Sequence, residues 1–152
     1  MRYILLLLIF TSNLVFSQNT LTGKVVAISD GDTFTLIDEN KVQHKIRLAE
    51  IDAPENSQPF GKASKKYLSE LIFNKNVKIV YSGTDRYDRI IGKVYIGEIY
   101  VSEEMIRNGY AWHFTRYSDS KKLSYLEKEA QINKRGLWSV PGAIAPWEWR
   151  KK

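Results

Sequence analysis

Three acidic stretches hold the residues best suited to chemistry: SDGDTF at 29–34, IRLAEIDAPE at 46–55 and TDRYDR at 84–89. Each falls at a predicted strand end or turn, where a rigid scaffold positions functional side chains. The first two lie on consecutive strands, so Asp32 and Asp52 can converge. Carboxylates crowded at a stiff strand end repel one another, and each pKa rises unless a cation or an arginine neutralises the group. With no cysteine and only His44 and His113 available, a thiolate or imidazole-rich zinc site is disfavoured. Carboxylates with turn carbonyls instead suit a hard cation, calcium or magnesium. Taken alone, DGD reads as a hairpin turn, and Glu50 and Glu55 read as water-facing charges.

The arginines shift that balance. Arg47 and Arg89 each present a planar fork of donors matched to phosphate oxygens, and neither loses its charge. A phosphodiester under attack gathers negative charge on its equatorial oxygens, and removing one fixed donor aimed at such charge costs about 2.7–4 kcal/mol. Glu55 can orient or deprotonate the attacking water. The competing assignment pairs the arginines with Asp85, Asp88 or Glu50. Surface pairs contribute only ~0–1 kcal/mol, a weak reason for such placement.

Periodicity supplies the elements that hold these groups. A β-branched strand is predicted over 21–28, turning through SDGD into a second at 33–37. Polar DENK leads to a third, where Val42, Ile46 and Leu48 share one face and Lys45 and Arg47 the other. Over 60–73, Ala63, Tyr67, Leu68, Leu71 and Ile72 fall on one helical face, opposite Lys62, Lys65, Lys66 and Glu70. Two more strands are predicted at 76–82 and 90–96. Ser102 is expected to cap a second helix, with Glu103 and Glu104 in its opening turn and Gly109 at its end. A third helix spans 120–135 and stops at Gly136. The tail at 139–152, with two prolines and two tryptophans, is expected to drape over the domain without forming an element. Trp147 and Trp149 would anchor it. This order is that of a five-stranded Greek-key barrel, the oligonucleotide/oligosaccharide-binding (OB) fold, with three helices; a half-open sheet is the alternative.

Residues 1–17 have the pattern of a signal peptide: Arg2, an apolar run at 4–10, then Val15 and Ser17. Thr11, Ser12 and Asn13 break the run well short of the ~18 apolar residues a membrane span needs. Cleavage near Ser17 is therefore expected, giving a secreted or periplasmic protein without a stable membrane anchor. The mature chain would be one domain spanning 18–138 plus the tail, about 135 residues in all. Without Arg2, 22 of the 23 Lys and Arg remain against 17 acidic residues. That excess suits a polyanionic partner. An exported chain without cysteine must draw its stability from a core, and 43% hydrophobic residues suffice for one.

DGDT at 30–33, IRLAEIDAPE at 46–55, DRYDR at 85–89, NGYA at 108–111 and GLW at 136–138 occur in the order of the thermonuclease, or staphylococcal nuclease-like, family, which the chain resembles from about Leu21 to Trp138. The resemblance implies Ca²⁺ held by Asp32, Asp52 and the Ala53 carbonyl. It implies Arg47 and Arg89 as phosphate contacts and Glu55 as the general base or water-orienting group. Tyr87 and Tyr117 match positions that touch the nucleotide. The implied activity is hydrolysis of DNA and RNA with little sequence preference, leaving 3′-phosphate ends, by a monomer. Three positions depart from the family pattern: Ala53 replaces a threonine, Asp88 a glycine and Thr115 a tyrosine. Asp88 is expected to weaken the grip of Arg89 on phosphate, and the loop after Glu55 is short. His44 and His113 are read as packing residues. Lys62, Lys65, Lys66 and Arg150 to Lys152 are read as solvated surface, some of which can track a phosphate backbone. The rival reading is a non-catalytic OB-fold module for single-stranded nucleic acid; a weaker third is an envelope-associated domain that binds anionic polymer.

Overall fold

In the computed structural model, which describes residues 18–152, the first strands form an antiparallel meander of β1 (Asn19–Ile28), β2 (Thr33–Ile37) and β3 (Gln43–Leu48). The leader expected over 1–17 lies outside the described residues. A two-residue strand, β4 (Ile51–Asp52), and helix α1 (Gly61–Ile72) come next, followed by β5 (Asn76–Thr84) and β6 (Ile90–Ile96). β5 pairs antiparallel with both β1 and β6. β6 then closes onto β3 in parallel, with Ile46 beside Ile90, Arg47 beside Ile91 and Leu48 beside Gly92. The result is a closed five-stranded barrel, the OB fold. Register shifts between Val25 and Ala27 and between Tyr81 and Gly83 supply the local twist that closure requires.

Alternation explains which side chains enter the barrel. Phe34 and Leu36 on β2, Ile46 and Leu48 on β3, Ile79 on β5 and Val94 on β6 are buried together. Each such side chain contributes about 1.5–3 kcal/mol relative to exposure. Leu68 and Ile72 of α1 join the same core. Val42 departs from the expected face. It is half-exposed and precedes β3, in a turn where its N–H donates to Asp38 Oδ1 at 2.9 Å. His44 closes the same turn, its Nε2 2.8 Å from Asp38 Oδ2, so it is a hydrogen-bonding residue and not simple packing. That contact holds the Asp38 carboxyl below its usual range.

The chain continues through β7 (Ile99–Tyr100), α2 (Val101–Arg107), β8 (Trp112–His113) and α3 (Lys121–Ile132). α2 begins one residue before Ser102, whose buried hydroxyl donates to the Ala49 carbonyl at 2.9 Å instead of capping. Ser120 does cap α3, accepting from the Leu123 N–H at 3.3 Å. A 3-10 turn over Gly136–Ser139 ends the domain, and the tail forms an element after all, a short helix, α4 (Pro146–Trp149). Proline at the first helical position presets the backbone angle there. Trp147 stacks on Phe114 at 5.2 Å and meets Trp112 edge-on at 5.8 Å. Those contacts give the tail a buried face, and with it a reason to fold.

Gly109 and Gly136 seat α2 against the turn that follows α3. Both have positive φ, and a Cβ on Gly109 would lie 2.2 Å from the Arg135 carbonyl oxygen. Gly109→Ala therefore meets a left-handed backbone, costing about 1–2 kcal/mol, and a clash with main chain, costing about 1–3 kcal/mol. Urea unfolding should show a loss of about 2–5 kcal/mol with the m-value unchanged; a loss below about 1 kcal/mol would mean that this approach relaxes freely.

Candidate active site

The acidic constellation sits where the barrel closes. Thr33 is the cross-strand partner of Arg47, and Ile91 lies on the other side of Arg47. The Asp32 carbonyl accepts from the Leu48 N–H at 2.8 Å. Gly31 lets this turn approach its neighbours, since a Cβ there would fall 2.0 Å from Ser64 Oγ and 2.8 Å from the Ala53 Cβ. Glycine at the centre of DGD thus presses Asp32 toward the loop that carries Asp52 and Ala53. β4 is fixed in turn by pairing with β8, Asp52 opposite Trp112.

One guanidinium joins the two acids. Arg47 Nη1 donates to Asp32 Oδ1 at 2.7 Å, and its Nη2 donates to Asp52 Oδ1 at 2.8 Å. The Ala53 N–H donates to Asp32 Oδ2 at 3.0 Å, and the Thr33 hydroxyl to Asp32 Oδ1 at 3.0 Å. Both carboxylates are nearly sealed from water, at 3% and 1% side-chain exposure. Burial pushes the Asp32 carboxyl up to about 7, with Arg47 working against it. Burial thus favours the neutral form of Asp32 against the pull of Arg47.

Above these groups opens a cleft of about 710 Å³, whose lining includes Asp32, Arg47, Ala53, Glu55, Arg89 and Arg150. Asp52 lies beneath the lining, reached through Arg47 and Arg150. Arg89 enters from the loop between β5 and β6. Its Nε and Nη2 bind Asp85 Oδ2 at 2.9 and 2.7 Å, and its Nη1 is 3.4 Å from Thr33 Oγ1. So the pairing of an arginine with Asp85 occurs, and it anchors one edge of the guanidinium beside the cleft. Tyr87 and Tyr117 also line the cleft, 61% and 70% exposed, presenting rings that a base could stack on.

Several expectations need revision. Asp88 is exposed and, among the described residues, pairs with no arginine; Asp85 holds Arg89. Asp88 has φ 58, the left-handed conformation that glycine adopts most readily and aspartate tolerates. Glu50 lines the same cleft, but its carboxylate is bound by Tyr100, Lys93 and Ser118 and not by Arg47 or Arg89. His113, read as a packing residue, is indeed buried, between the Ser124 and Ser118 hydroxyls at 3.1 and 3.0 Å, and burial lowers its pKa. It belongs to the scaffold. Arg150, read as solvated surface, reaches into the site: Nη2 donates to Asp52 Oδ2 at 2.6 Å and Nη1 to Glu55 Oε1 at 2.7 Å. Sequence offered no sign of this beyond an arginine following two anchoring tryptophans.

The donor chemistry fits a hard cation. Among the described residues no three Asp, Glu, His or Cys side chains converge as a ready cage. A cation here would rest on Asp32, Asp52, main-chain oxygen and water, the oxygen-only set of an open calcium site.

Residues 45–140 match the family model described as staphylococcal nuclease homologue. The chain is 43% identical over 147 residues to an uncharacterized endonuclease of Haemophilus influenzae, covering 97% of this chain and 83% of that protein. It is 40% identical to an uncharacterized endonuclease of Escherichia coli, covering 86% of this chain and 85% of that one. A micrococcal nuclease of Shigella flexneri is 38% identical, with 85% and 80% covered. With its closed barrel and its arginine-bridged acids, the chain belongs to the staphylococcal nuclease family.

Proposed function

We propose that this protein is an exported, calcium-dependent nuclease, acting as a monomer, that hydrolyses phosphodiester bonds of DNA and RNA with little sequence preference and leaves 3′-phosphate ends. The observation that carries the proposal is the Arg47 bridge between buried Asp32 and Asp52, with Glu55 and Arg89 facing the same cleft. Asp32, Asp52 and the Ala53 carbonyl would hold the calcium, which supplies positive charge to a phosphate oxygen and to the attacking water. Arg47 is held by Asp32 and Asp52 through its two Nη atoms and Arg89 by Asp85 through Nε and Nη2, so the N–H donors each has left over toward the phosphate are oriented in advance. Preorganised donors of this kind need no rearrangement as charge builds on the phosphoryl oxygens. Glu55 accepts or directs the proton of the attacking water. Tyr87 and Tyr117 stack on bases without reading them, which suits sequence-blind cutting. Export rests on the leader pattern at 1–17. Among the described residues no helix is long and apolar enough to cross a membrane.

Incubation of the protein with plasmid and with RNA should degrade both in calcium and neither in chelator, with 3′-phosphate termini on the products. Retarded but uncut nucleic acid in both conditions would favour the binding module instead. The calcium requirement should depend on pH. A proton on Asp32 competes with the cation, so the calcium concentration giving half-maximal rate should rise as pH falls from about 8 to about 6. A requirement that stays flat across that range would remove Asp32 from the metal site.

A further inference from the structure

We propose that Arg150 is a positioning residue of the active site: a guanidinium carried on the C-terminal helix that fixes the Glu55 carboxylate beside Asp52. The inference rests on the nuclease reading of the same cleft. Glu55 is 39% exposed at its side chain, and among the described residues Arg150 is the one group hydrogen-bonded to its carboxylate. Left unpaired, such a side chain would sample several rotamers and spend little time aimed at water in the cleft. The other half of the Arg150 fork lies on Asp52, with Nη2 at 2.6 Å from Oδ2 and Nη1 at 3.3 Å from Oδ1. One planar group therefore sets the distance between Glu55 and the acid beneath the cleft.

A second contact ties the same tail to the same glutamate. The buried Gln58 side chain accepts from the Glu55 N–H at 3.2 Å and donates to the Ile144 carbonyl at 2.6 Å. The tail thus reaches the Glu55 carboxylate directly, through Arg150, and its main chain indirectly, through Gln58. The tail is rigid enough for this, because Trp147 lies nearly parallel to Phe114, at 7°, and Pro146 is buried. A solvent-exposed ion pair needs neither a sealed partner nor a stacked helix behind it. Arg150 has both.

Full-length Arg150→Ala, Arg150→Lys, Glu55→Gln and the double variant should be compared on a defined DNA oligonucleotide at saturating calcium. Arg150→Ala should lower kcat by about 10–100-fold, the scale for a displaced catalytic group, with KM nearly unchanged. Arg150→Lys should recover part of the loss, since one ammonium cannot span both carboxylates. In the Glu55→Gln background, Arg150→Ala should cost less than about twofold, because two residues acting as a unit are not additive. Full additivity would overturn the proposal, as would a loss confined to KM, which marks a phosphate contact. So would an unchanged or faster Arg150→Ala enzyme with tighter calcium binding by calorimetry, which marks a guanidinium that merely competes with the cation. Hydrogen exchange of the Arg150 guanidinium by NMR reads the pairing without any turnover: it should be slow in the wild type and faster at Nη1 in Glu55→Ala, while Nη2 stays on Asp52. Slow exchange in a protein that cuts nothing would sink the nuclease reading and leave the pairing intact; fast exchange in an active wild type would sink the pairing alone.

Discussion

Arg47→Ala should lower turnover by about a hundredfold or more, the scale for losing one preorganised donor to transition-state charge, and should destabilise the calcium-free protein by about 3–5 kcal/mol, the scale for breaking a buried ion pair. The two losses have different origins. In the folded protein the guanidinium spans Asp32 and Asp52, both nearly sealed from water. Removing it leaves Asp32 with hydrogen bonds from Ala53 and Thr33 but no positive partner, while Asp52 retains Arg150. Asp32 would then be held more firmly in its neutral form. Its folded-state pKa already lies above the ordinary carboxylate value, so its contribution favours folding at low pH and is lost as pH rises through about 7. The variant should therefore be least stable above neutrality. Calcium should restore much of the stability by returning positive charge between the acids, yet turnover should stay low because the phosphate has lost its donor. Arg47→Lys should behave more like alanine than like arginine in turnover, since one ammonium cannot reproduce the bridge. Arg89→Ala is the informative comparison. Its pair with Asp85 lies on a loop at the rim, so turnover should fall with far less destabilisation. A folded Arg47→Ala enzyme cutting at the wild-type rate would end the charge-clamp account.

Strands and barrel order were legible because burial is alternate: Phe34 and Leu36, or Ile46 and Leu48, repeat with the two-residue period of a pleated strand. Parallel closure of β3 on β6 was not, since periodicity records faces and not neighbours. The convergence of Asp32, Asp52, Arg47 and Arg89 on one cleft was legible because charges at strand ends have few structural reasons to gather. Arg150 is the counterexample. It meets Glu55 across 95 positions of sequence, and nothing local distinguishes it from the exposed Lys151 and Lys152 beside it. The signal that places it is tertiary, a tryptophan stacked on Phe114 from a distant loop. Ser102 fails for a related reason. Its residue type fits a cap, but a buried carbonyl at Ala49 competes for the hydroxyl and wins. In both cases a partner remote in sequence decided the geometry.

Glu55→Gln should lower kcat by about 10²–10⁴-fold, the range for losing a positioned acid–base group, while KM changes little. The substitution keeps size and one oxygen acceptor, so the Arg150 contact at 2.7 Å can persist in weaker, uncharged form. What disappears is the ability to take a proton. A residue that only orients water through a hydrogen bond would tolerate the amide better, because glutamine still accepts from that water. The size of the loss therefore separates the two roles: orientation predicts the lower end of the range, proton abstraction the upper. Glu55→Asp supplies the complementary test, since it keeps basicity and withdraws the carboxylate by one methylene from Arg150. If position matters as much as charge, aspartate should be impaired nearly as badly as glutamine, because a displacement of about 1 Å can cost on the order of a hundredfold. Wild-type kcat in the glutamine variant, with weakened substrate binding as the whole effect, would make Glu55 a contact residue and leave the attacking water without an identified acceptor.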